Sequence, residues 1–233
     1  MHKYGEELID FITVEKGSFV VDLGCGNGAI TKKLSEKGFK TLGIDASESM
    51  LEKAKNLHPE LDFRLDDACE FKLDEKADAI LSNAVFHWIE NHDELVKNLS
   101  ANLKTGGELV FGFGGKGCAD TVHNALEKAF ATHNLTYVNH FNFRSIGEFA
   151  PILEKHGFRI EYAVFFDRPT EQIGENGLEN WINMFVDSAF DGVDSETKDE
   201  IIAQAVEICR PELYINGKWY VDYVRIRMKA IKM

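Results

Sequence analysis

The chain is poor in cysteine and in proline, with four of each in 233 residues, and it has no long apolar run. Cys25, Cys69, Cys118 and Cys209 stand far apart without a CxxC pair, which argues against a disulfide scaffold and predicts free thiols in a reducing compartment. The expected localisation is cytoplasmic. No Pro-rich linker, low-complexity tract or internal repeat interrupts the chain. No stretch approaches the roughly 18 apolar residues a membrane span needs, and the charges of residues 1–7 fall where a secretory signal would carry its apolar core. Neither a membrane nor an export route is expected. Positive charge is also scarce: 26 Lys and Arg face 39 Asp and Glu, for a formal net charge of −13. Nucleic acid, bound through counterion release, is therefore not an expected partner.

What remains is the composition of an ordinary globular protein, 44% hydrophobic and 28% charged. A chain of this length fits one domain spanning 1–233. From residue 17 to about 113, short apolar runs (Phe19-Val20-Val21, Thr41 to Ile44, Leu61 to Phe63, Ala79 to Leu81, Leu109 to Phe111) alternate with helical patterns. This rhythm is that of βαβ units in a parallel sheet. Ser47 and Asn91 stand as caps before apolar stripes at helical spacing, and Gly38 and Gly157 stand where a left-handed residue closes a helix before a strand. Beyond residue 166 two helical stripes, one on Leu178, Trp181, Ile182 and Phe185 and one on Ile201, Ile202, Ala205 and Val206 with Ser195 as the helix cap before it, predict a small helical domain cap at 167–210. The segment Trp219 to Met228 reads as a single half-buried strand after an Asn216-Gly217 turn, with Val224, Ile226, Met228 and Ala230 on one face and Arg225, Arg227 and Lys229 on the other.

Val20-Val21-Asp22-Leu23-Gly24-Cys25-Gly26-Asn27-Gly28 runs an apolar strand into a Gly-rich turn that opens a helix, which is a nucleotide site in outline. Asp45 ends the next strand, where a carboxylate can accept from ribose hydroxyls. Gly24-x-Gly26-x-x-Ala29 also satisfies the fingerprint of NAD-binding oxidoreductases, so the neighbours must separate the two. Asp22, two residues before the first glycine, suits a cofactor with a cationic end, whereas a pyrophosphate would be repelled; the alternative is that Asp22 caps local backbone amides.

Four ordered segments, Asp22 to Gly28, Gly43-Ile44-Asp45-Ala46-Ser47, Asp66-Asp67-Ala68 and Ser82-Asn83-Ala84, make residues 4–113 resemble the class I S-adenosylmethionine-dependent methyltransferases. The resemblance implies a Rossmann-like, seven-stranded, mostly parallel α/β sheet with an antiparallel final hairpin, and S-adenosyl-L-methionine as cofactor. It implies that Asp22, Gly24, Gly26 and Gly28 lie at the methionine end, Asp45 on the ribose, Ala46 and Met50 on the adenine face, Asp67 and Ala68 on the adenine edge, and Asn83 by the methyl group. Ser82 to Ile89, Arg168-Pro169-Thr170 and Asn180 to Phe185 are most similar to the trans-aconitate methyltransferase group, which implies a small carboxylic acid as acceptor.

A carboxylate is already ionised at pH 7 and needs no base, so arginines to hold it are expected instead of a catalytic dyad. Six of the seven arginines lie beyond residue 140, and Arg144 and Arg168 are the expected acceptor contacts, with His87 and Trp88 at the end of the fourth strand. Were the acceptor a hydroxyl, amine or thiol, His87 would be the base. A protein that binds the cofactor without turnover also stays open. Phe141, Phe143 and Phe149 read either as core or as a lid. Tyr214-x-x-x-Lys218 is discounted because Asn216-Gly217 breaks the helical face a dehydrogenase pair needs, and no His pair has metal-ligand spacing. No metal is expected, and a monomer is the default.

Overall fold

The computed structural model describes residues 5–233. In chain order the elements are α1 Glu6–Ile9, β1 Phe19–Leu23, α2 Ala29–Glu36, β2 Lys40–Asp45, α3 Glu48–Leu57, β3 Asp62–Leu65, β4 Ala77–Asn83, a 3₁₀ turn Phe86–Trp88, α4 His92–Asn102, β5 Leu103–Gly114, α5 Asp120–Thr132, α6 Ile146–Lys155, β6 Phe158–Asp167, β7 Thr170–Gln172, α7 Gly177–Phe185, a 3₁₀ turn Asp187–Phe190, α8 Ser195–Leu213, β8 Tyr214–Ile215, β9 Lys218–Val221 and β10 Val224–Lys232. They form two compact units: Met1–Gly115 with Arg144–Phe165 and Ile226–Met233, and Lys116–Phe143 with Phe166–Arg225.

The first unit is built on a seven-stranded, mostly parallel sheet in the order β3-β2-β1-β4-β5-β10-β6, with one antiparallel strand. Strand order reverses beside β1, whose neighbours are β2 and β4, both parallel to it. A crevice must open there, because the connections leave β1 and β4 in opposite directions. Successive strand residues go to opposite faces. Val21, Ile80, Leu109 and Phe111 pack with α4 and α6 residues such as Leu99 and Leu153, while Val20, Ala79, Leu81 and Val110 pack with Leu8, Ile9 and Leu34 of α1 and α2. Being covered on both faces is why these strands read as continuous apolar runs. Ser47 and Asn91 cap α3 and α4 as expected, accepting from the amides of Met50 and Glu94, and Gly38 and Gly157 have φ of +95° and +79°.

The second unit takes in more than the expected 167–210, since α5 and a three-stranded antiparallel sheet β7-β9-β8 join α7 and α8. Ala125, Leu126, Trp181, Ile201, Ala205 and Trp219 are among its core. Its second cap is Asp194, not Ser195: the Asp194 carboxylate accepts from the Thr197 amide, which makes Ser195 the first helical residue. Asn216 and Gly217, with φ of +51° and +77°, make the two-residue hairpin between β8 and β9.

The expected single strand Trp219 to Met228 is two strands, because β9 pairs in the small sheet and β10 in the large one. Nor is the charged face of β10 solvated throughout. Lys229 is 8% exposed and donates to the Glu108 carboxylate of β5 at 3.0 Å and to the Thr13 hydroxyl at 2.9 Å. Glu108 also accepts the Thr13 amide at 2.8 Å and its hydroxyl. Burial of the lysine is possible because every charge in this triad has a partner.

Candidate active site

At the carboxyl end of β1 the chain turns sharply under three left-handed glycines, Gly24, Gly26 and Gly28, with φ of +74°, +55° and +80°. The amides of Gly24 and Cys25 both donate to the Ile44 carbonyl, which fastens the turn to β2. Space is as tight as the dihedrals are unusual. A Cβ on Gly24 would stand 2.0 Å from Cγ2 of Val85, and one on Gly28 would stand 2.7 Å from the Phe63 ring. Asp45, the last residue of β2, accepts the Gly26 amide on Oδ2 at 2.7 Å and the Ser47 amide on Oδ1 at 2.8 Å. Each oxygen keeps a second lone pair for a ligand.

Asp45 lines a cleft of about 490 Å³ together with Leu23, Gly24, Ile44, Ala46, Ser47, Asp66, Asp67, Ala68, Asn83, Ala84, Val85, Trp88 and Ile89. That size is ordinary for a small-molecule site, roughly 300–1,000 Å³. The cleft sits at the strand-order reversal, between the carboxyl ends of β1, β2 and β4. A larger hollow of about 930 Å³ lies at the opposite edge, where β1, β2, β3 and β4 begin. It is an open groove of mixed charge in which Lys104 is already paired with Asp78 at 2.9 Å and with Glu75 at 3.3 Å, and no Gly-rich turn brings backbone amides to it.

Of the residues expected from the sequence, Gly24, Asp45, Ala46, Asp67, Ala68, Asn83 and Trp88 line the cleft. Gly26, Gly28 and Met50 do not line it, although the Met50 methyl lies 3.3 Å from where a Gly26 Cβ would be. Asp67 accepts the Cys69 amide at 2.7 Å. Asp22 is 1% exposed and does not line the cleft. It accepts the Thr31 hydroxyl at 2.6 Å and the Thr31 backbone amide, so it anchors the first turn of α2, and burial raises its pKa to about 7.

Ser47, Asp66, Ala84, Val85 and Ile89 were not foreseen in the cleft. Ala84 has φ of +61° and its amide donates to the Gly112 carbonyl at 2.7 Å, a strained conformation that costs an alanine about 1–2 kcal/mol. Such strain tends to gather at functional sites, and no turn residue at Ala84 signals it in the sequence.

His87 is buried in the turn after β4, and its Nδ1 accepts the Gly114 amide at 3.2 Å. The ring proton therefore sits on Nε2, which makes that nitrogen a donor. Trp88 beside it is half exposed. Arg144 forms a β-bridge with Gly115 and donates from Nε to Nδ1 of His92 at 2.7 Å. Arg168 lies in the second unit, where its amide donates to the Tyr223 carbonyl. Phe149 is core, packed on Phe86, Phe111 and Phe113, whereas Phe141 and Phe143 stack on each other in the second unit at 5.1 Å. Among the described residues no three His, Cys, Asp or Glu side chains are grouped to hold a metal, and no helix is long and apolar enough to cross a membrane.

The motif of a methyltransferase domain matches residues 21–111, the stretch that builds the cleft. The uncharacterized methyltransferase C70.08c of Schizosaccharomyces pombe is 28% identical over 99% of the chain and 92% of its own length. The trans-aconitate 2-methyltransferase of Variovorax paradoxus is 36% identical over 45% of the chain, and the match spans 42% of that protein. In shape, a Haemonchus contortus phosphoethanolamine N-methyltransferase 2 bound to S-adenosyl-L-methionine superposes with a TM-score of 0.61 at 18% identity, over 99% of this chain and 52% of that one. The left-handed glycine turn, the carboxylate that ends β2 and the strand-order reversal between them suit that cofactor. Residues 21–111 thus match a methyltransferase domain, and the chain shares the fold of solved methyltransferases.

Proposed function

We propose that the protein is a class I S-adenosylmethionine-dependent methyltransferase that methylates a carboxylate of a small organic acid, with Arg144 and Arg168 as its acceptor-binding arginines. In this reading the glycine turn and Asp22 serve the methionine end of the cofactor, Asp45 the ribose, Ala46 and Met50 the adenine face, Asp67 and Ala68 the adenine edge, and Asn83 the methyl end. When bound, S-adenosylmethionine supplies a methyl group activated by its sulfonium. The protein's part is to hold an acceptor oxygen in line with that methyl and to exclude water. An ionised carboxylate needs no proton removed, and the chain offers donors for it: the Nε2–H of His87 and the guanidinium of Arg144. Trp88 would supply an apolar wall. The absence of a demand for a base fits His87 better than the alternative with a hydroxyl, amine or thiol acceptor, because the lone pair on its Nδ1 is taken by the Gly114 amide. That tautomer is the observation that carries the reading. A monomer in a reducing, cytoplasmic compartment is part of the same proposal.

The test begins with calorimetric titration of the full chain with S-adenosylmethionine, NAD and NADH, and continues with methyl transfer to trans-aconitate and a panel of small acids, phenols and amines. The cofactor alone should bind, and acids alone should be esterified. Asp45→Ala should weaken cofactor binding by about tenfold or more, since it removes charge-assisted bonds that also hold the turn. Methylation of phenols or amines in preference to acids would overturn the acceptor class, and unchanged cofactor affinity in Asp45→Ala would overturn the ribose contact.

A further inference from the structure

His92 was not singled out by any pattern in the sequence, yet it is 1% exposed and holds two parts of the first unit together. Its Nδ1 receives the Nε–H of Arg144 at 2.7 Å, and its Nε2 lies 2.8 Å from the Phe86 carbonyl. An arginine Nε is always a donor, so Nδ1 must be unprotonated and Nε2 must carry the hydrogen that the Phe86 carbonyl accepts. Burial, the largest influence on its pKa, keeps the ring neutral, and the Arg144 charge adds to that. The rings of Phe113 and Phe149, 6.1 and 5.1 Å away, hold the imidazole in place.

One end of this link is the turn Phe86–Trp88, whose Trp88 walls the cleft. The other end is an arginine whose backbone is bridged to Gly115, at the end of β5. Because Nε carries the bond to His92, the two terminal nitrogens of Arg144 keep their hydrogens for another partner, and among the described residues no carboxylate pairs with them. A guanidinium fixed through Nε presents its terminal pair in the geometry that grips a carboxylate with two parallel bonds.

We infer that His92 is a positioning residue for acceptor binding: it fixes the rotamer of Arg144 relative to the turn that carries His87 and Trp88, so that the guanidinium is set in advance for the carboxylate of the acceptor. The inference rests on the carboxylate reading above. A preset arginine loses less side-chain freedom on binding than a loose one, which is where the gain in affinity comes from.

Two substitutions separate the two bonds of the ring. His92→Asn keeps an acceptor near the position of Nδ1 and gives up the bond to Phe86; His92→Gln keeps a donor near Nε2 and gives up the bond to Arg144. The probe is trans-aconitate, or the acid of the panel that the parent esterifies fastest, titrated calorimetrically into the full chain saturated with S-adenosylhomocysteine, so that binding is read without turnover. His92→Gln and Arg144→Gln should each weaken acid binding by about tenfold or more, His92→Asn by about threefold or less. The acid's KM should follow these changes while kcat moves little. Cofactor affinity in the same instrument distinguishes an intact fold from a collapsed one.

Acid affinity in His92→Gln within about twofold of the parent, or equal losses in the Asn and Gln variants, would overturn the role of His92 and leave the acceptor reading standing. If instead the parent binds no acid and methylates a neutral acceptor, the acceptor reading itself fails and takes the carboxylate grip with it.

Discussion

Cofactor binding should release a proton from Asp22. Burial raises this carboxyl to about 7 against the bonds from Thr31, which pull the other way, and the charge of Asp45 adds a little. At pH 7 the group is therefore about half protonated in the free enzyme. S-adenosylmethionine carries a sulfonium, an ammonium and a carboxylate, a net positive charge that favours the ionised side chain. If the bound cofactor lowers the pKa by about two units, within the usual effect of a nearby opposite charge, about half a proton leaves per cofactor bound at pH 7. Affinity should then rise about fiftyfold between pH 5 and pH 8, close to 2.3 kcal/mol. Calorimetry at pH 7 in buffers of different ionisation enthalpy reads the proton directly. Asp22→Asn, which keeps an acceptor for the Thr31 hydroxyl, should abolish both the release and the slope, and S-adenosylhomocysteine, without the sulfonium, should show a weaker linkage. The same group acts on the free enzyme. Its raised pKa makes its contribution to stability complete below the unfolded value near 4 and lost as pH rises through about 7, a change on the order of 4 kcal/mol that the Asn variant should lack. A buffer-independent binding enthalpy at pH 7, or an unchanged pH slope in Asp22→Asn, would refute this account.

Two further comparisons test the scaffold. Gly24→Ala places a Cβ 2.0 Å from the Val85 methyl at φ of +74°, while Gly17→Ala, at φ of +88°, has nothing within 4 Å; by chemical denaturation the first should lose about 2–4 kcal/mol and the second about 1 kcal/mol. Equal losses would mean that the close approach to Val85 is easily relieved. Lys229→Met strands the 5% exposed Glu108 as a buried charge and should cost about 3–5 kcal/mol, most of it recovered in the double variant with Glu108→Gln; a surface-like loss under 1 kcal/mol would show that water reaches the pair.

Where the physics is local, the sequence already contained the answer. Strands covered on both faces need apolar side chains at every position, so β1, β4 and β5 stood out as runs; caps such as Ser47 and Asn91 answer a demand set within one helical turn; Asn216-Gly217 makes its hairpin from its own dihedrals. The same holds for Gly24, Asp45 and Asn83 at the strand ends and Asp67 just past one, which were legible as neighbours and line one cleft because one turn and one strand register bring them together. Ser195 was mistaken for a cap because Asp194 beside it satisfies the same rule, and one residue separates the two.

Contacts between distant segments left no such mark. Lys229 looked like a solvated charge until β10 laid it against Glu108 and Thr13, residues 121 and 216 positions away. The length of Trp219 to Met228 gave no sign that β9 and β10 would pair in different sheets. His92 and Arg144, 52 residues apart, meet only because α4 and the bridge at Gly115 are assembled on one sheet, and the left-handed Ala84 follows from that assembly as well. The sequence by itself determined the class of fold and the residues that stand at the strand ends, since each answers to its neighbours in the chain. Tertiary structure alone decided which charges are buried, which tautomers the histidines hold and which histidine meets Arg144, because those depend on partners that only the folded chain supplies.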